Sequence, residues 1–139
     1  MSGFDELISK VEDYQTDCLN LKKVKFEVSD PFDLVEDWDS YYPYCDEAGI
    51  YAIFNENEEL LYIGKASNNS SIGSRLGSYF KNDEKGNFSL KHPEGWGEKG
   101  KPRFIIGVSV SEPFEAPSLE EYLIYKLQPE INQVGKNIQ

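Results

Sequence analysis

The stretch from Gly49 to Gly64 constrains the fold of this chain more than any other. Two short apolar runs, Ile50 to Phe54 and Leu60 to Ile63, are rich in β-branched and aromatic residues and flank a polar segment, Asn55 to Glu59. That pattern predicts a β-hairpin. Side chains alternate between the two faces of a strand, so the loop decides where Tyr51 and Tyr62 point. An even loop sets the two phenols opposite each other on one face, whereas an odd loop sends them to opposite faces; the even loop is expected.

The rest of the chain reads as cover for that hairpin. Arg103 to Val110 has strand character and supplies a third strand, so the expected fold is α/β of the α+β kind. Its centre is a small, mainly antiparallel three-stranded sheet, Gly49–Phe54, Leu60–Lys65 and Arg103–Val110, flanked by helices. Phe4, Leu7, Ile8, Val11 and Tyr14 recur at helical spacing within Ser2 to Leu19 and predict an amphipathic helix whose stripe packs on the core. Val24 to Val28 alternates and reads as a short strand that Asp30-Pro31 ends. Trp38, Tyr41, Tyr42 and Tyr44 are expected to pack over the hairpin. Ile72 to Phe80 predicts a short helix on which Arg75 and Tyr79, four apart, share a face, weakened by Gly73 and Gly77. Lys81 to Pro102, which holds the single histidine, His92, reads as a long loop.

Ser118-Leu119-Glu120-Glu121 has the form of a capping box, which predicts a helix from Ser118 to Gln128 that turns Leu119, Tyr122, Leu123 and Leu127 inward and stops before Pro129. Taken alone, Glu120 then reads as a first-turn acid that favours the helix end rather than as a catalytic group. Residues 1–48 are expected to form a helical, acidic extension on a compact unit, 49–139.

A chain of 139 residues fits one domain with a real core. No apolar run approaches the roughly 20 residues of a membrane span, and the acidic, amphipathic start has no signal-peptide pattern, so no membrane contact and a cytoplasmic location are expected. Cys18 and Cys45 have no Cys or His at metal-site spacing and read as free thiols. His92 lacks metal-site neighbours too and reads as a plain loop residue. The net charge of −11 argues against a protein that coats DNA by bulk electrostatics. Its distribution is uneven: Met1–Leu61 has 4 basic against 16 acidic residues, Tyr62–Arg103 has 8 against 4, and Phe104–Gln139 has 2 against 5. Positive charge therefore follows the hairpin, as a phosphate-binding surface or as a lysine-dotted loop.

Gly49-Ile50-Tyr51 and Tyr62-Ile63-Gly64, with ten residues between them, resemble the signature of the GIY-YIG nuclease superfamily. Further elements follow in order: Gly64-Lys65-Ala66, then Arg75 to Phe80 in the form Arg-x-x-x-Tyr-Phe, then Glu120 three residues before Leu123-Ile124, with Pro129 and Asn132 beyond. This order is most similar to the N-terminal nuclease domain of bacterial nucleotide excision repair excinucleases. The loop before Arg75 is longer here and carries Ser and Asn in place of lysines, which weakens phosphate affinity.

The resemblance implies metal-dependent hydrolysis of DNA, in repair or recombination. Tyr51 would be the general base, aided by Tyr62, with Lys65 near both, Arg75 on the scissile phosphate and Tyr79 orienting water or phosphate. Glu120 would hold one Mg²⁺ or Mn²⁺, and Gly49, Gly64 and Asn132 would support the site. Elementary chemistry asks for the same parts. A base must take the water's proton, cations must hold charge at phosphorus, and a free tyrosine of pKa about 10 is a poor base unless cations favour its phenolate. The alternative is a catalytically silent module that keeps the fold and binds nucleic acid or, through its acidic N-terminal face, a protein.

Overall fold

One buried asparagine organises the central hairpin. In the computed structural model, which describes residues 3–17, 25–97 and 100–132, the elements in chain order are α1 (Gly3–Asp17), β1 (Phe26–Val28), β2 (Phe32–Asp33), β3 (Gly49–Phe54), β4 (Leu60–Ala66), α2 (Ile72–Leu76), β5 (Phe80–Asn82), β6 (Phe88–Leu90), β7 (Phe104–Val110) and α3 (Glu115–Leu127). Asn55, fully buried, follows β3. Its Oδ1 accepts the backbone N–H of Asn57 at 3.0 Å and of Glu59 at 2.9 Å, closing the turn.

The loop runs from Asn55 to Glu59 and is odd, against expectation. Ile53 nevertheless pairs with Tyr62 while Phe54 pairs with Leu60, which leaves Leu61 as the extra residue of a β-bulge. The bulge restores parity and returns Tyr62 to the face of Tyr51. The two phenols are diagonal neighbours rather than directly opposed, because Tyr51 pairs with Gly64.

The expected three strands form the centre of an antiparallel sheet, and two short strands extend it beyond β7. The order is β1–β7–β3–β4, with β2 also paired to β7, so the sheet has five strands rather than three among the described residues. Arg103 fixes β2 by a two-pronged ion pair to Asp33 at 2.7 and 2.9 Å, which holds the Asp33 carboxyl at about 2, below its ordinary 3.8. On one face Tyr51, Ile53 and Ile105 pack with Phe32, Leu34, Ile72, Leu76, Phe80, Leu90 and Trp96. On the other, Ile50, Ile63 and Val110 pack against Ala116 and Ile124 of α3.

Several expectations are corrected. Helix α3 begins at Glu115, so Ser118 lies within it and is no cap. Pro117 is tolerated in the first turn, where its missing N–H has no partner to lose. Ala116 and Ile124 point inward, Leu119 and Leu123 are half-buried, and Tyr122 and Leu127, expected inside, face outward. The predicted loop 81–102 contains the β5–β6 hairpin and a 3₁₀ turn at Pro93–Trp96 that buries Trp96. Trp38, Tyr42 and Tyr44 pack on the same core face, where Trp38 Nε1 donates to Asn82 Oδ1 at 2.7 Å; Tyr41 stays exposed.

Helix α1 forms, but Phe4, Leu7, Ile8 and Val11 are each at least 50% exposed, so no described residue covers its stripe. Among the described residues no helix is long and apolar enough to cross a membrane. Cys45 is a free thiol, and Cys18 lies outside the described residues.

Candidate active site

Three tyrosines meet where β3 and β4 face α2. Tyr51 has no solvent-exposed surface, and the reason lies across the ladder. A Cβ on Gly64 would come within 2.3 Å of the Tyr51 Oη and Cζ, so only glycine lets the ring lie over that strand. Gly49 is required by close approach too, since its Cβ would sit 1.9 Å from the Val108 carbonyl oxygen. Tyr79 enters from the turn after α2. Ser71 caps that helix by accepting the Ser74 N–H at 3.2 Å, and Gly77 ends it, so the helix stops at Leu76 and a further turn carries Tyr79 inward.

The Tyr51 and Tyr79 hydroxyls lie 2.7 Å apart. Ring centroids are separated by 6.4 Å for Tyr51–Tyr62, 5.9 Å for Tyr51–Tyr79 and 6.0 Å for Tyr62–Tyr79, and Trp96 stands edge-on to Tyr62 and Tyr79 at 6.5 and 5.8 Å. Trp96 is the residue that sequence reasoning missed. Its one signal was a large aromatic isolated in a polar, glycine-rich segment.

The charges arrive from both faces of the sheet. Arg75, exposed on α2, interacts with the Tyr51 hydroxyl, and its charge is felt by Tyr62, Tyr79 and Glu120. Strand alternation puts Lys65 on the α3 side, where its Nζ lies 3.7 Å from Glu120 Oε1. Because α3 starts at Glu115, Glu120 falls in the second turn, and the helix-end explanation for it lapses. The six residues Tyr51, Tyr62, Lys65, Arg75, Tyr79 and Glu120 thus converge around β4, the last strand of the sheet.

Burial dominates their ionisation. It raises the Tyr51 hydroxyl despite opposing contacts from Tyr79 and Arg75, and raises Tyr62 and Tyr79 far above the ordinary 10.0, with their mutual proximity adding to it in Tyr62. All three are phenols at neutral pH. Burial also raises the Glu120 carboxyl above 4.5, partly offset by Lys65 and Arg75.

Asn132 supports the site from outside. Its Oδ1 accepts the Ile63 N–H and its Nδ2 donates to the Ile63 carbonyl, both at 2.8 Å, so the outward backbone of the edge strand is satisfied next to Tyr62. His92 is exposed beside Trp96 and bonds no member of the cluster.

Residues 47–133 match the family model described as the GIY-YIG catalytic domain. The chain belongs to the GIY-YIG family. This is a nuclease-type fold, and the substrates of such domains are nucleic acids. No individually curated protein matches the chain.

GIY-YIG nucleases generally depend on a divalent metal. Among the described residues no group of three His, Cys, Asp or Glu converges to hold one alone. Glu120, whose side chain is 19% exposed, offers one hard oxygen donor. That suits Mg²⁺, which takes one or two carboxylates and completes its shell with water and phosphate oxygens.

Proposed function

We propose that this GIY-YIG chain is a metal-dependent endonuclease that hydrolyses a DNA phosphodiester bond. One observation carries the reading: the Tyr51–Tyr79 hydroxyl contact, Arg75 and Glu120 meet around the end strand β4. In this reading Arg75, a planar and permanently charged fork, grips the scissile phosphate from the solvent side. Tyr51 accepts the proton of the attacking water in the fraction of molecules in which its own phenolic proton has moved to the Tyr79 oxygen while Tyr79 gave its proton to solvent. Tyr62 and Tyr79 fix the orientation of that ring. Lys65 adds positive charge near both phosphate and Glu120. Glu120 is the residue that would hold Mg²⁺ or Mn²⁺, which when bound stabilises the departing alkoxide.

The ordered elements Gly64-Lys65-Ala66, Arg75 to Phe80 and Glu120 to Asn132 support kinship with the excision-repair nucleases, and hence a role in repair or recombination. Residues 49–139 are the catalytic unit in this reading. The acidic residues 1–48 take a protein partner that delivers substrate, which the uncovered stripe of α1 supports, and the protein works in the cytoplasm.

The test is cleavage of linear, supercoiled, branched and single-stranded DNA with Mg²⁺ or Mn²⁺ by the native chain and by Glu120→Ala. The variant is expected to lose at least about a hundredfold in rate, and chelator to stop the native chain. No cleavage by either folded protein makes the chain a binding module.

A further inference from the structure

Beside the three tyrosines lies a cavity of about 250 Å³ lined by Tyr62, Tyr79, His92, Gly95, Trp96 and Ile131. Two of its walls belong to the catalytic cluster, since Tyr79 touches the Tyr51 hydroxyl. Trp96 is held as the third wall by stacking on Phe80, with centroids 6.2 Å apart and planes 17° off parallel. Ile131 forms an aliphatic side and is fixed by its N–H to the Leu61 carbonyl at 2.8 Å. The polar ring at the mouth is the exposed His92.

The size is several times the share of one water, about 30 Å³, and leaves room for a flat heterocycle. Aromatic walls with one hydrogen-bonding side chain at the rim are how proteins hold single bases: the rings stack and the rim reads an edge. The stretch of sequence that supplies five of the six lining residues, Tyr62–Arg103, is also the basic part of an acidic chain, with 8 basic against 4 acidic residues. Chain charge and wall chemistry therefore agree on a nucleotide. A base inside a duplex is stacked and paired and cannot enter, so the occupant must be unpaired or turned out.

We infer that this cavity receives the unpaired base of the nucleotide next to the cleaved phosphodiester. The inference rests on the nuclease reading and deepens it: the preferred substrate has a single-stranded or extruded nucleotide at the cut. Trp96 and Ile131 fill no catalytic role; they select the substrate's local structure.

The experiment uses the full chain and a fluorescent single-stranded oligodeoxynucleotide, with a series in which one position at a time lacks its base. Binding is read by anisotropy in chelator and cleavage separately in Mg²⁺. Gly95 lines the cavity and a Cβ on it meets nothing within 4 Å, so Gly95→Leu adds an aliphatic side chain at that wall without forcing the backbone. The native chain is expected to bind about tenfold more weakly when one particular base is missing. Gly95→Leu, with an unchanged melting temperature, should bind the intact strand as weakly as the native chain binds that abasic strand, with no further loss on it. His92→Ala, altered only at the rim, should lose roughly threefold on the intact strand and nothing more on that abasic one. Affinity that is equal at every abasic position, or a folded Gly95→Leu that binds as the native chain does, overturns the pocket. So does a native chain that binds no strand at all. Base-dependent binding without cleavage supports the pocket and sinks the nuclease reading alone. Cleavage without base dependence does the reverse.

Discussion

Gly64 and Tyr51 act as one unit, because the absent side chain of the first is the space filled by the ring of the second. Gly64→Ala is expected to displace that ring, costing about 1–3 kcal/mol in denaturant unfolding and at least about a hundredfold in cleavage rate. A melt and a rate on the same sample check it; an unchanged rate would separate Tyr51 from the chemistry. Ionisation gives a second expectation. Glu120 is raised by burial, so in the metal-free protein it takes a proton on acidification earlier than an ordinary glutamate at 4.5, which a carboxyl titration by NMR in chelator checks. The phenols are raised too, so the rate should still climb above about pH 9. At this scale the grouping of tyrosines, arginine and glutamate was legible, since they follow one another in the order that the resemblance requires. Trp96 was not, because it is placed by a 3₁₀ turn and no strand or helix period reaches it.

The elements show where sequence pattern stops short. The hairpin could be read from its apolar runs, but its register depends on a bulge at Leu61, a backbone irregularity that composition does not mark. Ser118 to Glu121 satisfied every residue requirement of a cap, yet Pro117 was able to enter the first turn and the helix began a turn earlier. Tyr122 and Leu127 are exposed because the buried stripe of α3 runs through Ala116 and Ile124. The edge of β4 gives the prediction proper to this scale. Asn132→Ala removes two hydrogen bonds and leaves the Ile63 N–H and carbonyl without partners at a buried edge. A loss of about 2–3 kcal/mol is expected in denaturant unfolding, with β4 amides exchanging faster by hydrogen exchange. A loss below about 0.5 kcal/mol would mean water replaces the amide there.

For the whole molecule, acidity and nucleic-acid chemistry are reconciled by distribution. Sixteen acids in Met1–Leu61 repel phosphate while Lys65 and Arg75 attract it at one edge, so few counterions can be released on binding. The slope of log affinity against log salt should be shallow, between about −1 and −3, and steeper values from salt titration would require a basic surface elsewhere. Exposure of the α1 stripe, which no residue pattern predicts, belongs here as well, because amphipathic spacing states that a helix has two sides and not what covers one of them. The site also has an order in time. Its tyrosines and Arg75 leave the ribosome well before Glu120, and Asn132 follows later still. A nascent chain therefore carries an incomplete site for a time: the acid and the fastener are made only after the tyrosines and the arginine.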